Sequence, residues 1–554
     1  MSWDVPSAEA GARTRGGMAT ALVLVTVAGA ALRLWQYGAN VSMWVDELAL
    51  VRGILAVDPR ELLTTQLLHN QVAPKGFLLV EKLAVSATGP NEYALRLFPL
   101  IFSLIALVAF VRLSTRLLEG AGPLAASILF AAAPPLVASG ALAKQYSADV
   151  CVAVLLWQLA YKLSTRTVKP RRAALFGSLL VWFSSPAALM MAALGAALLT
   201  WPGSDSNVKA RRRALVPVLA CWWASSLAAT AATFATTTHA TRDYMQWFWA
   251  GSFAPLSPAV FLKTLWPLER VSSMFGPGQT FAGMGYPAPT AYAALALMGL
   301  AVLWLRDKSK AALLTAPLLF TLAAAVFRQY PFNDRLVLFL LPGLLLAIAA
   351  TVEYVRSLLW SRSRALSTLA VVLPLVPALY PLAATPLPHY TEPIKPVMDY
   401  VRERRRPGDG VYVYYGAALA VTFYAERYGI GRDEYAVGGC HRGDGRLYLR
   451  ELDTFRGRPR VWVLLTHAGP ALKEREDILA YLDTIGVRRD GLVVEPRGIG
   501  RNLLPAEAHL YDLSDGEKLD DADADTFPLK GPHAPGQRLG CGEATQASLP
   551  TDFR

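Results

Sequence analysis

The chain has 554 residues, of which 54% are hydrophobic and only 17% charged; its mean hydropathy is +0.33. A soluble globular chain has roughly 45–50% apolar and ~25% charged residues, so disorder, a collagen repeat, a disulfide-stapled miniprotein and a free cytosolic enzyme are all excluded. The composition predicts a polytopic helical membrane protein. The net charge is +12, yet from residue 387 onward 23 Lys and Arg face 26 Asp and Glu, while the preceding part holds 31 against 16. Basic residues concentrated in the apolar part fit cytoplasmic loops under the positive-inside rule, and they argue against nucleic acid as a partner.

In chain order, apolar runs predict eleven spans, at 18–35, 93–115, 123–143, 148–163, 173–184, 187–201, 214–236, 290–305, 311–327, 336–355 and 365–384. The first follows Arg13 and Arg15 like a secretory signal. It lacks a clear small-residue cleavage site and is read as a retained anchor. With the amino terminus inside, Arg112 and Arg116 and the basic clusters at 162–172, 209–213, 306–310 and 356–364 all fall in the cytoplasm. The two short runs around Ser184-Ser185-Pro186 then form a hairpin returning to the cytoplasm.

Residues 1–386 are thus expected to be a membrane domain with outer loops at about 36–91 and 237–289. The second loop carries Tyr244-Met245-Gln246-Trp247-Phe248-Trp249, an aromatic interfacial belt or a sugar-stacking surface. Residues 387–513 alternate helical and strand-like segments, which predicts an outer α/β domain with a largely parallel sheet. Residues 514–554, acidic and then rich in Gly and Pro, read as an unstructured tail. Cys440 and Cys541 both lie outside, where a disulfide between them is one alternative. No Cys/His spacing resembles a zinc site.

Two carboxylates, Asp46 and Glu47, follow the first span at the outer face, where acidic residues so close to hydrocarbon are costly and tend to be functional. The next outer turn carries Lys144-Gln145-Tyr146-Ser147-Ala148-Asp149. Lys75, Lys144 and Arg335 all fall at the same membrane level, either reaching towards lipid headgroups or together binding a carrier phosphate.

The Asp46-Glu47 pair, the Pro-containing loop after it, Tyr93-Ala94-Leu95-Arg96-Leu97 and Lys144-Gln145-Tyr146-Ser147 resemble the GT-C membrane glycosyltransferases. The resemblance is to the group of protein O-mannosyltransferases and lipid A aminoarabinose transferases, in its broad bacterial branch, and covers about residues 15–390. It implies a GT-C-like fold in a bacterial plasma membrane. It further implies a polyprenyl-phosphate-linked sugar donor and a glycan, lipid or protein acceptor outside the cytoplasm. Asp46 matches the catalytic acidic residue and is expected to act as the base; Glu47, its neighbour, is expected to serve positioning or acceptor binding. Lys75, Lys144 and Arg335 are then expected at the donor phosphate, with Tyr146 and Asp149 in the second outer motif at the substrate. Lys75 departs from the Glu-Lys-Pro-Pro run of the aminoarabinose group, because here it follows Ala-Pro. No metal ligand set is recognised, and a divalent metal beside Asp46 stays open. The rival readings are a transporter or lipid-sugar flippase, which usually carries mid-span charges and internal repeats, and a scaffold using the outer tail.

Overall fold

The computed structural model describes residues 8–201, 208–280, 283–471, 473–515 and 523–531. The first helix, α1 (Ala8–Gly38), leads into the first of the loops expected outside, here three helices, α2 (Val45–Ala56), α3 (Pro59–Thr64) and α4 (Lys75–Thr88). Then come α5 (Glu92–Leu117), α6 (Gly122–Ala132), α7 (Pro134–Ala138), α8 (Tyr146–Ser164), α9 (Pro170–Leu180), α10 (Ala187–Thr200) and α11 (Val208–Ala235). The second outer loop folds as α12 (His239–Phe248), α13 (Pro258–Thr264) and α14 (Trp266–Ser273), followed by α15 (Pro289–Arg306), α16 (Lys308–Val326), α17 (Leu341–Trp360) and α18 (Arg364–Ala384).

Every predicted span coincides with helix. Among the described residues seven helices are long and apolar enough to cross a membrane, or eight if the bent pair α6–α7 is one span; α8, α9 and α10, where the other three spans were expected, fall short of that mark in length or apolarity. The hairpin of α9 and α10 is short because its apex meets the first outer loop. A Cβ on Gly76 would stand 2.6 Å from the Trp182 carbonyl oxygen, so only glycine admits the contact.

The bend between α6 and α7, 57°, follows from Pro134 and Pro135, which supply no amide hydrogen to the carbonyls a turn earlier. Arg33 of α1 compensates. Its guanidinium is buried and donates to the carbonyls of Ala131 (3.1 Å), Phe130 (3.4 Å) and Gly29 (2.8 Å) and to Ser103 (2.9 Å). The arginine is fully partnered by these groups, as a charge among apolar helices has to be.

The basic turns gather at one end of the bundle. Arg211 donates to the Ser164 carbonyl, Ser309 to that of Trp201, and Arg306 stacks on Tyr354. The outer loops and the C-terminal domain share the other end. With the basic end in the cytoplasm, alkaline phosphatase fused after Pro388 is expected to be active and one fused after Arg364 inactive; the reverse pattern would overturn that orientation.

Among the described residues the C-terminal domain has four α-helices, α19 (Ile394–Arg404), α20 (Ala418–Tyr424), α21 (Arg446–Asp453) and α22 (Glu474–Ile485). They flank a sheet of β1 (Gly410–Val413), β2 (Ala436–Val437), β3 (Val461–Thr466), β4 (Val487–Val494) and β5 (Ala506–Asp512), in the order β2-β1-β3-β5-β4. β1 pairs parallel with β2 and β3, whereas β5 runs antiparallel to both β3 and β4. The sheet is therefore mixed, not largely parallel as the sequence suggested. No helix separates β4 from β5, so the chain returns antiparallel.

The expected unstructured tail also needs correction in part. At 523–531, Ala524 is buried, Phe527 packs edge-on to Tyr481, and the amides of Lys530 and Gly531 donate to Asp477. Cys440 is disulfide-bonded. Its expected partner Cys541 lies outside the described residues.

This domain packs directly on the first outer loop. Met43, Leu48 and Val51 of that loop, with Leu95 of α5, share one apolar core with Ile394, Val397, Met398, Val421 and Trp462. Glu92 adds ion pairs to Lys395 (3.0 Å) and Arg427 (2.8 Å).

Candidate active site

Asp46 is the second residue of α2, and the start of that helix is fixed from three directions. The neighbouring Glu47 is fully buried and forms a two-pronged ion pair with Arg96, Nε to Oε1 at 3.0 Å and Nη2 to Oε2 at 2.9 Å. Oε1 also accepts the Ala143 amide (2.8 Å) and Oε2 the Trp44 amide (3.4 Å). A carboxylate offers about four acceptor positions, and all are used. Glu47 therefore has no oxygen left for an acceptor substrate. Its observed work is to lock α2, the start of α5 and the turn before Lys144 together.

Glu392, from the segment entering the C-terminal domain, accepts the otherwise unpaired Val45 amide (2.8 Å) and pairs with His467 (2.7 Å). A carboxylate at a helix N-terminus satisfies free amides and the helix dipole together. Sequence reading missed Glu392 and assigned no role to Arg96. A lone arginine in the first turn of an apolar span was a usable signal for Arg96; Glu392 offered none.

With its backbone held so, the Asp46 side chain meets two cations and a phenol. Lys144 lies at 3.0 Å from Oδ1, Arg335 at 3.4 Å and the Tyr146 hydroxyl at 3.3 Å from Oδ2. The carboxylate keeps 17% exposure, so the site is recessed but open. Burial by itself raises the Asp46 carboxyl, but Lys144 and Arg335 outweigh it and bring it down to about 2. Burial likewise lowers the Lys144 ammonium, against the pull of Asp46.

Lys144 also donates to Gln71 Oε1 (2.6 Å), and Arg335 Nε to the Tyr146 hydroxyl (2.8 Å). The Arg335 guanidinium lies among three rings, 5.6 Å from Trp44, 6.0 Å from Tyr146 and 5.4 Å from Trp249. Asp334 sets its direction: it holds the second outer loop through Thr280 (2.9 Å) and the Gln279 amide (3.2 Å), so the next residue turns inward.

The other expected site residues stand elsewhere. Lys75 is buried and donates to the Leu62 carbonyl (3.2 Å) within the first loop. It is not among the groups touching Asp46, because its position at the start of α4 packs it into that loop's own core. Asp149, one turn after Tyr146, lies against Ser184 and Ser185 at the apex of the α9–α10 hairpin.

A small cavity, of about 20 Å³, is lined by Trp44, Glu47, Gln36, Tyr390 and Arg497, without Asp46. Among the described residues no three His, Cys, Asp or Glu side chains converge as a metal site. The groups around Asp46 are cations and a phenol, which do not fit a divalent ion there.

No protein-family model matches the sequence, and no curated protein matches it significantly. Among solved structures, the chain is similar to ArnT from Cupriavidus metallidurans bound to undecaprenyl phosphate, with 10% identity and a TM-score of 0.48 over 89% of this chain and 98% of that one. It is also similar to the apo oligosaccharyltransferase of Archaeoglobus fulgidus, with 12% identity and a TM-score of 0.43 over 84% of this chain and 73% of that one.

Proposed function

We propose that the protein is an integral membrane glycosyltransferase that moves a sugar from a polyprenyl-phosphate carrier to an acceptor outside the cytoplasm, with inversion at the anomeric carbon. The supporting observation is a single recessed carboxylate, Asp46, held between Lys144 and Arg335. A phosphodiester donor leaves as a stabilised phosphate anion and needs no strong acid. Its acceptor needs a base, and its departing charge needs cations.

In the free protein both cations are spent on Asp46, which makes it a weak base. A donor phosphate in reach of Lys144 and Arg335 takes over their charge and adds its own negative field. Both effects raise the affinity of Asp46 for a proton. Asp46 then accepts the proton of the acceptor hydroxyl or amine as that atom bonds to the anomeric carbon. The bond from carbon to phosphate oxygen breaks on the opposite face, and the polyprenyl phosphate departs with the electron pair. Tyr146, shared by Asp46 and Arg335, orients both.

The charged cluster joins helix ends at the outer loops, which favours chemistry at the membrane surface over passage through the bundle. Incubating the purified protein with a panel of radiolabelled polyprenyl-phosphate sugars tests the proposal. Label must move to an acceptor, and loss of every transfer signal across the panel would count against it.

Lys144→Met and Arg335→Met are each expected to raise the donor KM by about tenfold or more, since a hydrogen bond to a charged group contributes about 1.5–3 kcal/mol. Arg335→Lys is expected to restore little. A compact ammonium cannot reproduce a planar cation stacked among three rings.

A further inference from the structure

Asp46 lies in the first loop, but the segment leading into it is gripped by the C-terminal domain. Residues 40–44, between α1 and α2, form neither helix nor strand. A segment of that kind has no hydrogen-bond ladder of its own, so its polar groups take partners from elsewhere. Lys395 Nζ donates to the Asn40 carbonyl (2.7 Å) and the Lys395 amide to Ser42 Oγ (3.0 Å). The Tyr424 hydroxyl accepts the Met43 amide (3.1 Å), and Glu392 Oε2 accepts the Val45 amide (2.8 Å).

The last of these contacts is the nearest to the chemistry. Val45 is the first residue of α2 and the neighbour of Asp46, so a change in its backbone torsions swings the Asp46 side chain. Glu392 is itself fixed on both sides. Its Oε1 pairs with His467 Nδ1 at 2.7 Å, its amide donates to the Leu504 carbonyl (2.9 Å), and it is only 2% exposed. His467 directly follows β3, the central strand of the sheet.

Both partners stand at positive φ, Glu392 at +51° and His467 at +57°. Residues with a Cβ rarely adopt that conformation, and it persists where the surroundings demand it, above all at functional sites. Strain is thus held at both ends of a contact that reaches from the middle of the sheet to the residue before Asp46.

We propose that Glu392 and His467 are positioning residues for transfer: they hold the Val45 amide and so aim the Asp46 carboxylate at the acceptor, which makes the C-terminal domain a working part of the catalytic centre. The role in transfer rests on Asp46 being the base; the hold on Val45 itself does not.

A merely adhesive contact between the two domains would change stability and leave kcat per folded molecule alone. The test therefore compares full-length variants in detergent in a working transfer assay, with rates normalised to the folded fraction. Glu392→Ala removes the acceptor of the Val45 amide and is expected to lower kcat by about 10–100-fold at an unchanged donor KM, the scale on which a misplacement of ~1 Å acts. Glu392→Gln keeps a carbonyl oxygen for that amide, and its NH₂ can donate to a neutral His467 imidazole, so most of kcat should return. His467→Ala, at a side chain 30% exposed, frees Glu392 and should lower kcat in the same direction by less; it carries the comparison if Glu392→Ala does not fold. Hydrogen exchange of the peptide spanning 41–50, read by mass spectrometry, needs no transfer. Val45 should lose protection in Glu392→Ala and keep it in Glu392→Gln.

An unchanged kcat per folded molecule in the alanine variants, or a kcat that falls equally in Glu392→Gln, would overturn the positioning role. Placing Glu392→Ala in the Asp46→Asn background adds a second check. If Glu392 acts through Asp46, the second substitution costs nothing further, and losses that multiply would refute that route. Unchanged turnover in Asp46→Asn alone would remove the base and this role with it, while lost protection at Val45 would still establish the hold.

Discussion

Asp46→Asn is expected to lower transfer by about 10²–10⁴-fold, the usual loss when a general base is removed. Asparagine keeps the size of the side chain and one acceptor oxygen for Lys144 or Tyr146, so the fold should survive. Donor binding should hold or tighten, because Lys144 and Arg335 no longer divide their charge between Asp46 and the phosphate. The signature is thus a large fall in kcat with no rise in donor KM. Unchanged turnover would remove Asp46 from the chemistry.

The pH profile carries the same assignment. In the free protein Asp46 titrates at about 2, below the roughly 3.9 of an unfolded aspartate. Its contribution to stability is therefore complete above the unfolded value and is lost as pH falls through about 2. For kcat/KM, which reports the free enzyme, Asp46 should produce no acid limb through the ordinary carboxylate range. An acid limb in that range that disappears in Asp46→Asn would contradict the geometry.

Breaking the neighbouring pair should produce the opposite pattern. Arg96→Met leaves Glu47 buried with no cation, and removing one partner of a buried pair costs about 3–5 kcal/mol. Glu47→Gln places an NH₂ group where every neighbour is itself a donor, namely Arg96 and the amides of Ala143 and Trp44. Both variants should lower the thermal midpoint of the detergent-solubilised protein sharply, with activity lost in proportion to the folded fraction. A Glu47→Gln protein of unchanged midpoint but altered acceptor KM would return Glu47 to the substrate.

Asp46 and Glu47 are adjacent and chemically alike, and the sequence could place both in the loop after the first span without separating their duties. The separation comes from direction along the first turn of α2. One side chain points into α5 and the turn before Lys144; the other points to the opening.

Lys75, Lys144 and Arg335 pose the same problem. Lys144 and Arg335 stand at the ends of apolar runs and Lys75 in the loop after the first, and that much is local information. Which of them meet depends on helix packing between distant segments. Lys144 and Arg335 converge, while the first loop folds on itself and gives Lys75 the Leu62 carbonyl.

What the sequence determined by itself was whatever hydrocarbon and water decide over short distances. Runs of apolar residues had to be buried or membrane-facing helix, and the basic clusters had to gather at one end. Acidic and basic residues at the other end had to find partners or a function. Tertiary structure alone decided the pairings: Glu47 with Arg96, and Glu392 with the Val45 amide and His467. It also decided the direction of the sheet pairing, because strand alternation looks alike whether the next strand runs parallel or antiparallel. Hydrophobic burial acts on each segment without direction, so composition reveals it. Ion pairs and hydrogen bonds act over a few ångströms between residues far apart in the chain, and only the folded backbone brings them there.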